Sequence, residues 1–206
     1  MANNEIIFIV GNSRSGTTML GRIFGRYSQV HTFGELHFFE QIVDEKIVKL
    51  GECWSSDRLL TMLARLITSA REGLFCSVTI GKYRSDAEKI LNLSSKRDPV
   101  SVYEYFLIEE ARGNGKRIPC EQTPRYLFSA MDILNSFPDA RMINLVRDSR
   151  DALLSQKNKW RRRFLGAKNI PLSEAFRLWV NYHPYAIARL WVSSVCGTAG
   201  DEEARL

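Results

Sequence analysis

The chain has 206 residues, of which 45% are hydrophobic and 25% charged, and a formal net charge of +6. That length suits a single domain with a substantial core, and the composition is ordinary for a soluble globular protein. The positive balance favours an anionic ligand without choosing among nucleotide, polysaccharide and nucleic acid.

No stretch approaches the roughly 20 apolar residues of a membrane span. No N-terminal signal is read, because Glu5 sits beside an apolar run of only five residues. The four cysteines, Cys53, Cys76, Cys120 and Cys196, lie far apart without C-x-x-C or zinc-ligand spacing, and the three histidines are equally scattered. These features lead to an expectation of reduced thiols, a cytoplasmic protein, no metal and no membrane.

Ile6 to Val10 is apolar and rich in β-branched residues, which predicts a strand buried on both faces of a parallel sheet. From Gly11 to Thr18 six of eight residues are Gly, Ser or Thr. Met19, Leu20, Ile23, Phe24 and Tyr27 then recur at three- and four-residue steps, the period of an amphipathic helix. Strand, small-residue loop and helix in that order make an anion cradle of backbone N–H groups and a helix N-terminus. Against the P-loop pattern G-x-x-x-x-G-K-[ST], Thr17 stands where lysine belongs, which argues against nucleoside triphosphate hydrolysis. Arg14 inside the loop offers a charge in its place.

Val30–Phe33 fits a short strand ending at Gly34, and Glu35 and His37 would project from one face of extended chain. Phe38–Leu50 has weak helical character. Asp57 caps a predicted helix through Arg71 that Gly73 ends, and a short helical pattern covers Asp86–Leu93 in an otherwise basic, solvated region. Pro99 opens a helix to Ala111. Arg117–Cys120 reads as a strand ending at Glu121-Gln122-Thr123, with Pro124 starting a helix through Asn135. After a turn at Phe137–Ala140, Arg141–Val146 is a second largely apolar strand, ending at Arg147-Asp148-Ser149-Arg150-Asp151. Ala152–Phe164 is read as a helix with a basic run, and Leu172–Trp191 as the last helix. Residues 197–206 carry no apolar period and are expected to be a disordered tail.

Alternating strands and helices predict an α/β protein: a P-loop-like, three-layer fold whose central parallel sheet is flanked by helices. Ligands in such sheets collect at the carboxyl ends of the strands. The loop from Gly11, Glu35, Gln122 and Arg147 each follow a predicted strand, so all four are expected to line one crevice.

These segments resemble those of sulfotransferases that use 3′-phosphoadenosine 5′-phosphosulfate (PAPS). Gly11–Thr18 is similar to their phosphosulfate loop, and Leu145–Ser155 to their site for the 3′-phosphate of the nucleotide. Gly34-Glu35-Leu36-His37-Phe38-Phe39 resembles the catalytic-base segment of heparan sulfate and tyrosylprotein sulfotransferases. Glu121-Gln122-Thr123-Pro124 resembles a further active-site segment of that group. The resemblance spans Ile6 to about Ser155 and implies transfer of a sulfuryl group to an acceptor hydroxyl, with adenosine 3′,5′-bisphosphate as product.

It also implies roles. Backbone N–H groups of Ser15, Gly16, Thr17 and Thr18, the two threonine hydroxyls and Arg14 would hold the phosphosulfate, while Arg147 and Ser155 would hold the 3′-phosphate. Glu35 would be the general base, its pKa raised beside Leu36, Phe38 and Phe39; His37 is the rival base, or the residue that orients Glu35 or the acceptor. Gln122 stands where the family carries a lysine facing the leaving oxygen, and glutamine donates a hydrogen bond but no charge. The family pattern also continues beyond the last helix, so the chain is read as one domain without the usual C-terminal part.

The expected acceptor is a small-molecule or carbohydrate hydroxyl, with no nucleic acid partner. Two other readings stay open: a P-loop phosphotransferase or kinase, which would want the missing lysine and an acidic magnesium ligand, and a nucleotide-binding protein without catalysis.

Overall fold

The computed structural model describes residues 5–42, 52–73, 81–164 and 171–196. Four strands, β1 (Ile7–Gly11), β2 (Val30–Thr32), β3 (Ile118–Glu121) and β4 (Arg141–Leu145), form one sheet in the order β2-β3-β1-β4. Every pairing is parallel, with Phe8 opposite both Glu121 and Met142. The fold is therefore an α/β fold with an all-parallel central sheet flanked by helices, as the sequence pattern predicts.

Central position explains the composition of β1. Its side chains alternate between faces: Phe8 and Val10 join the large core, and Ile9 joins a smaller cluster with Val30 and Cys120. Helix α1 (Thr17–Phe24) covers the smaller cluster through Leu20 and Phe24. The large core is closed by α2 (Ser56–Glu72), α3 (Arg84–Leu93) and α4 (Pro99–Gly113), with Leu59, Leu63, Leu66, Ile90 and Phe106 among its buried members. Arg71 ties these three helices together, donating to Asp86 at 2.6 Å and to Glu110 at 2.5 and 3.1 Å. By contrast β4, at one sheet edge, is only partly buried, which accounts for the polar Arg141 and Asn144 in its sequence.

Several boundaries differ from the sequence reading, each for a local reason. Helix α2 begins at Ser56 with Ser55 at its N-cap, two residues ahead of Asp57, which lies in its first turn. Pro124–Ser129 is a 3-10 turn, and α5 (Ala130–Ser136) follows it, so the predicted helix from Pro124 is a composite. Asp148 accepts from the Arg150 N–H and starts α6 at Ser149 rather than Ala152; α6 ends at Lys157 and Lys159–Arg163 is a separate 3-10 turn.

The predicted last helix is two, α7 (Leu172–Val180) and α8 (Pro184–Cys196). Pro184 cannot continue a helix but suits a first turn, and the His183 ring accepts from the Ala186 N–H at 3.4 Å. Phe38–Ile42 is a single π-helical turn. The rest of the weakly helical segment, part of the basic region after Gly73, and the expected tail at 197–206 lie outside the described residues.

Candidate functional site

All four segments singled out in the sequence leave the carboxyl edge of the sheet. Strand order sets their sequence across it: Glu35 and His37 beyond β2, Gln122 at β3, the Gly11 loop at β1 and Arg147 beyond β4. At about 4.8 Å per strand, the two outer strands lie roughly 14 Å apart.

The loop is built for close backbone approach. A Cβ on Gly11 would collide with the Leu145 carbonyl oxygen, so only glycine lets β4 pair to the end of β1. Ser15 donates its N–H to the Asn12 carbonyl at 3.1 Å, closing a turn in which Arg14 takes the left-handed conformation with φ 74°. Gly16 follows at φ 106° and opens α1 without a side-chain cap or an acidic residue in the first turn. Asn12 Nδ2 and Ser15 Oγ are buried without a hydrogen-bond partner among the described residues. Uncapped helix N–H groups and orphaned polar atoms in one loop make a site whose deficit an anion would satisfy. Thr17, the first residue of α1, is buried and Thr18 is exposed.

Arg14, Arg147 and Ser155, which the resemblance divides between two ends of a nucleotide, meet. Arg14 Nε donates to Ser155 Oγ at 2.9 Å, and Arg147 Nη1 donates to the Arg14 carbonyl at 3.2 Å. Arg147 also faces Asp151 at 3.5 Å. Its neighbour Arg150 is committed elsewhere, to Asp148 at 2.8 and 3.0 Å, and its guanidinium holds Asp148 down to about 2. Asp148 thus serves as helix cap and ion-pair partner. Among the described residues, no group of three or more His, Cys, Asp or Glu side chains forms a metal site.

At the other side, His37 sits between two carboxylates. Its Nε2 lies 3.2 Å from Glu35 Oε2 and its Nδ1 lies 3.1 Å from Glu40 Oε2. The meeting with Glu35 does not come from extended chain, as the two-residue spacing suggests. His37 has φ 54°, and this left-handed turn folds its ring back onto Glu35. Burial pushes the imidazole pKa down, but the hydrogen bonds and charges of Glu35 and Glu40 outweigh it and hold it up to about 9. His37 is accordingly an imidazolium at neutral pH.

The Glu35 side chain is 42% exposed. Leu36, Phe38 and Phe39 do not enclose it; they are buried in the core, where Phe38 stacks on Tyr103 at 4.0 Å. Their burial anchors the segment instead.

Gln122 packs on α1. A Cβ on Gly21 would lie 2.6 Å from Gln122 Oε1, so glycine there makes room for the amide. That oxygen is buried and unpartnered among the described residues.

Four polar residues of the site were not assigned roles from sequence. Glu40 is one helical turn after His37, a spacing that brings side chains together and was legible in principle. Arg125 approaches its carboxylate at 3.7 Å. Glu121, the last residue of β3, is wholly buried. Burial pushes its carboxyl up to about 8, against the lowering effect of hydrogen bonds from Thr123 and Leu36 and of the His37 charge. Thr123 is buried beside it and donates its hydroxyl to Glu121 Oε1.

One edge of the parallel sheet thus carries a loop with uncapped helix N–H groups after its first strand, basic groups at one side and a histidine–glutamate cluster at the other. The family model described as the sulfotransferase family matches residues 6–183, and the chain belongs to that family. No curated protein matches the chain. Among the described residues no helix is long and apolar enough to cross a membrane.

Proposed function

We propose that the protein transfers the sulfuryl group of PAPS to an acceptor hydroxyl, with Glu35 as general base. The observation that carries this reading is the division of the sheet edge. The anion-accepting loop and the Arg14–Ser155–Arg147 cluster lie on the β1/β4 side, and the Glu35–His37–Glu40 cluster lies on the β2/β3 side. A donor bound across β1 and β4 supplies a reactive sulfuryl group on an anionic leaving group.

The chain's own residues would supply the rest. N–H groups of Ser15 to Thr18, the hydroxyls of Thr17 and Thr18, and Arg14 would bind the phosphosulfate; Arg147 and Ser155 would bind the 3′-phosphate. The buried orphan atoms of Asn12 and Ser15 fit that anionic group. Glu35 would accept the acceptor's proton as its oxygen attacks. His37, as imidazolium, has no lone pair with which to do so; it would hold Glu35 in place, itself oriented by Glu40. Gln122 would donate to the leaving oxygen.

The commitment of Asp148 to Arg150 and to the α6 cap disfavours the phosphotransferase reading, which needs a carboxylate for magnesium. The deciding experiment is incubation of the protein with PAPS and a panel of carbohydrate and small-molecule hydroxyl acceptors. Acceptor-dependent formation of adenosine 3′,5′-bisphosphate is the expected result. Magnesium-dependent consumption of ATP in its place would overturn the proposal.

A further inference from the structure

The base-bearing segment is held in an unusual way. β2 stops at Thr32, and Phe33 makes the last backbone ladder bond to this side of β3, donating to the Cys120 carbonyl at 2.8 Å. Beyond it the chain leaves the sheet, and side chains from the end of β3 take over. The Leu36 N–H is shared between Glu121 Oε1 at 3.2 Å and Thr123 Oγ1 at 3.1 Å. The His37 N–H donates to Thr123 Oγ1 at 3.4 Å, and the Phe38 N–H to the Tyr126 hydroxyl at 2.8 Å. Three consecutive amides are thus captured by three side chains of one short stretch.

Within that stretch the groups hold one another. Glu121 Oε2 accepts from the Thr123 N–H at 3.2 Å, and its Oε1 accepts the Thr123 hydroxyl. Glu121, Thr123 and Tyr126 are all fully buried. A strand would not need this. The segment does, because His37 is left-handed at φ 54°, a conformation that costs a non-glycine residue roughly 1 kcal/mol or more and persists only where its surroundings impose it.

We propose that Glu121 and Thr123 are positioning residues for sulfuryl transfer: they clamp the Leu36 and His37 amides and so fix the turn that aims Glu35 and His37 at the acceptor. The proposal rests on the sulfotransferase reading for its catalytic consequence, but the clamp itself does not. Neither residue touches the reacting atoms. Their effect passes through backbone placement, and a displacement of about 1 Å in a reacting group is enough to slow a reaction roughly a hundredfold.

The test uses the full chain with the isosteric change Thr123→Val, which removes the acceptor shared by both amides while keeping the packed volume. Its kcat is expected to fall roughly thirtyfold, within the range that misplacement commands. Affinity for adenosine 3′,5′-bisphosphate should stay within about twofold, since the β1/β4 side is untouched. Thr123→Ser, which restores the hydroxyl, should recover most of the rate. Glu121→Met, which removes both acceptor oxygens at similar volume, should resemble Thr123→Val. Hydrogen exchange of the Leu36–Phe38 amides should accelerate in Thr123→Val and return to normal in Thr123→Ser.

An unchanged kcat in Thr123→Val, a parallel loss of nucleotide affinity, or failure of serine to restore the rate would each overturn the positioning role. If the wild-type protein transfers no sulfuryl group, the functional reading falls, and so does the role in transfer. The clamp is then judged on exchange alone, where unchanged protection in Thr123→Val overturns it too.

Discussion

Arg14 and Ser155 are 141 positions apart in the chain and meet through a 2.9 Å hydrogen bond from the guanidinium Nε to the hydroxyl. The contact joins the loop after β1 to the helix after β4. It also aims the Arg14 fork, because the side chain is held at one nitrogen while its backbone carbonyl is held by Arg147 at 3.2 Å. An anion reaching either arginine would therefore meet a cluster already assembled, with less ordering left to do on binding.

Nucleotide choice follows from that cluster and from Thr17 in the lysine position. Adenosine 3′,5′-bisphosphate should bind more tightly than ATP, ADP or AMP, and without magnesium. Arg147→Ala removes a charge-assisted contact and should weaken binding by about 2 kcal/mol, roughly thirtyfold. Isothermal titration calorimetry checks both, and tighter, magnesium-dependent ATP binding would refute the assignment.

Base and orienting group separate by mutation. Glu35→Gln should reduce turnover by roughly a hundredfold or more, the scale of a lost general base, with nucleotide affinity intact. His37→Ala should cost less, since an imidazolium has no lone pair with which to take the proton. The reverse order, measured as kcat for both variants, would exchange the two roles.

His37 also makes stability depend on pH. Its folded pKa of about 9 lies above the ordinary 6.5, so its contribution is fully present below pH 6.5 and is lost as pH rises through about 9. The full linkage is at most about 3 kcal/mol, one pKa unit being worth 1.36 kcal/mol. Denaturant midpoints of the wild type and His37→Gln should therefore converge as pH rises from 6 to 10. A ring titration by NMR with a midpoint near 6.5 would contradict the ion-pair geometry.

Gln122 offers a gain-of-function test. Its Oε1 is buried beside Gly21 without a hydrogen bond among the described residues, so replacing the amide forfeits little. Gln122→Lys brings a charge that matters most as the leaving oxygen becomes negative. Turnover should rise while nucleotide affinity changes little. An unchanged kcat would mean that Arg14 already neutralises that oxygen.

The local features were readable from sequence because each is encoded in a few adjacent residues. The run Ile6–Val10, the small residues from Gly11 to Thr18 and the periodic apolar residues after them specify strand, loop and helix without reference to the rest of the chain. The same holds for Pro99 opening α4, to which the structure adds Asp98 as the cap, accepting from the Ser101 N–H at 2.8 Å. Periodicity misled only where it ran across a break, as at Pro184, since apolar spacing continues on both sides of a turn that proline imposes.

Tertiary packing decided the rest. Side chains far apart in sequence carry no mark of one another, so neither the Arg14–Ser155 contact nor the placement of β1 between β3 and β4 was legible. Glu35 and His37 were visible as a pair, but their face-to-face meeting depends on a left-handed backbone at His37 that no propensity favours. That conformation is imposed from 86 residues away by the Thr123 hydroxyl. Buried polar groups must find partners wherever the fold supplies them, and in this protein the partners of the turn at Leu36 and His37 come from the end of a neighbouring strand.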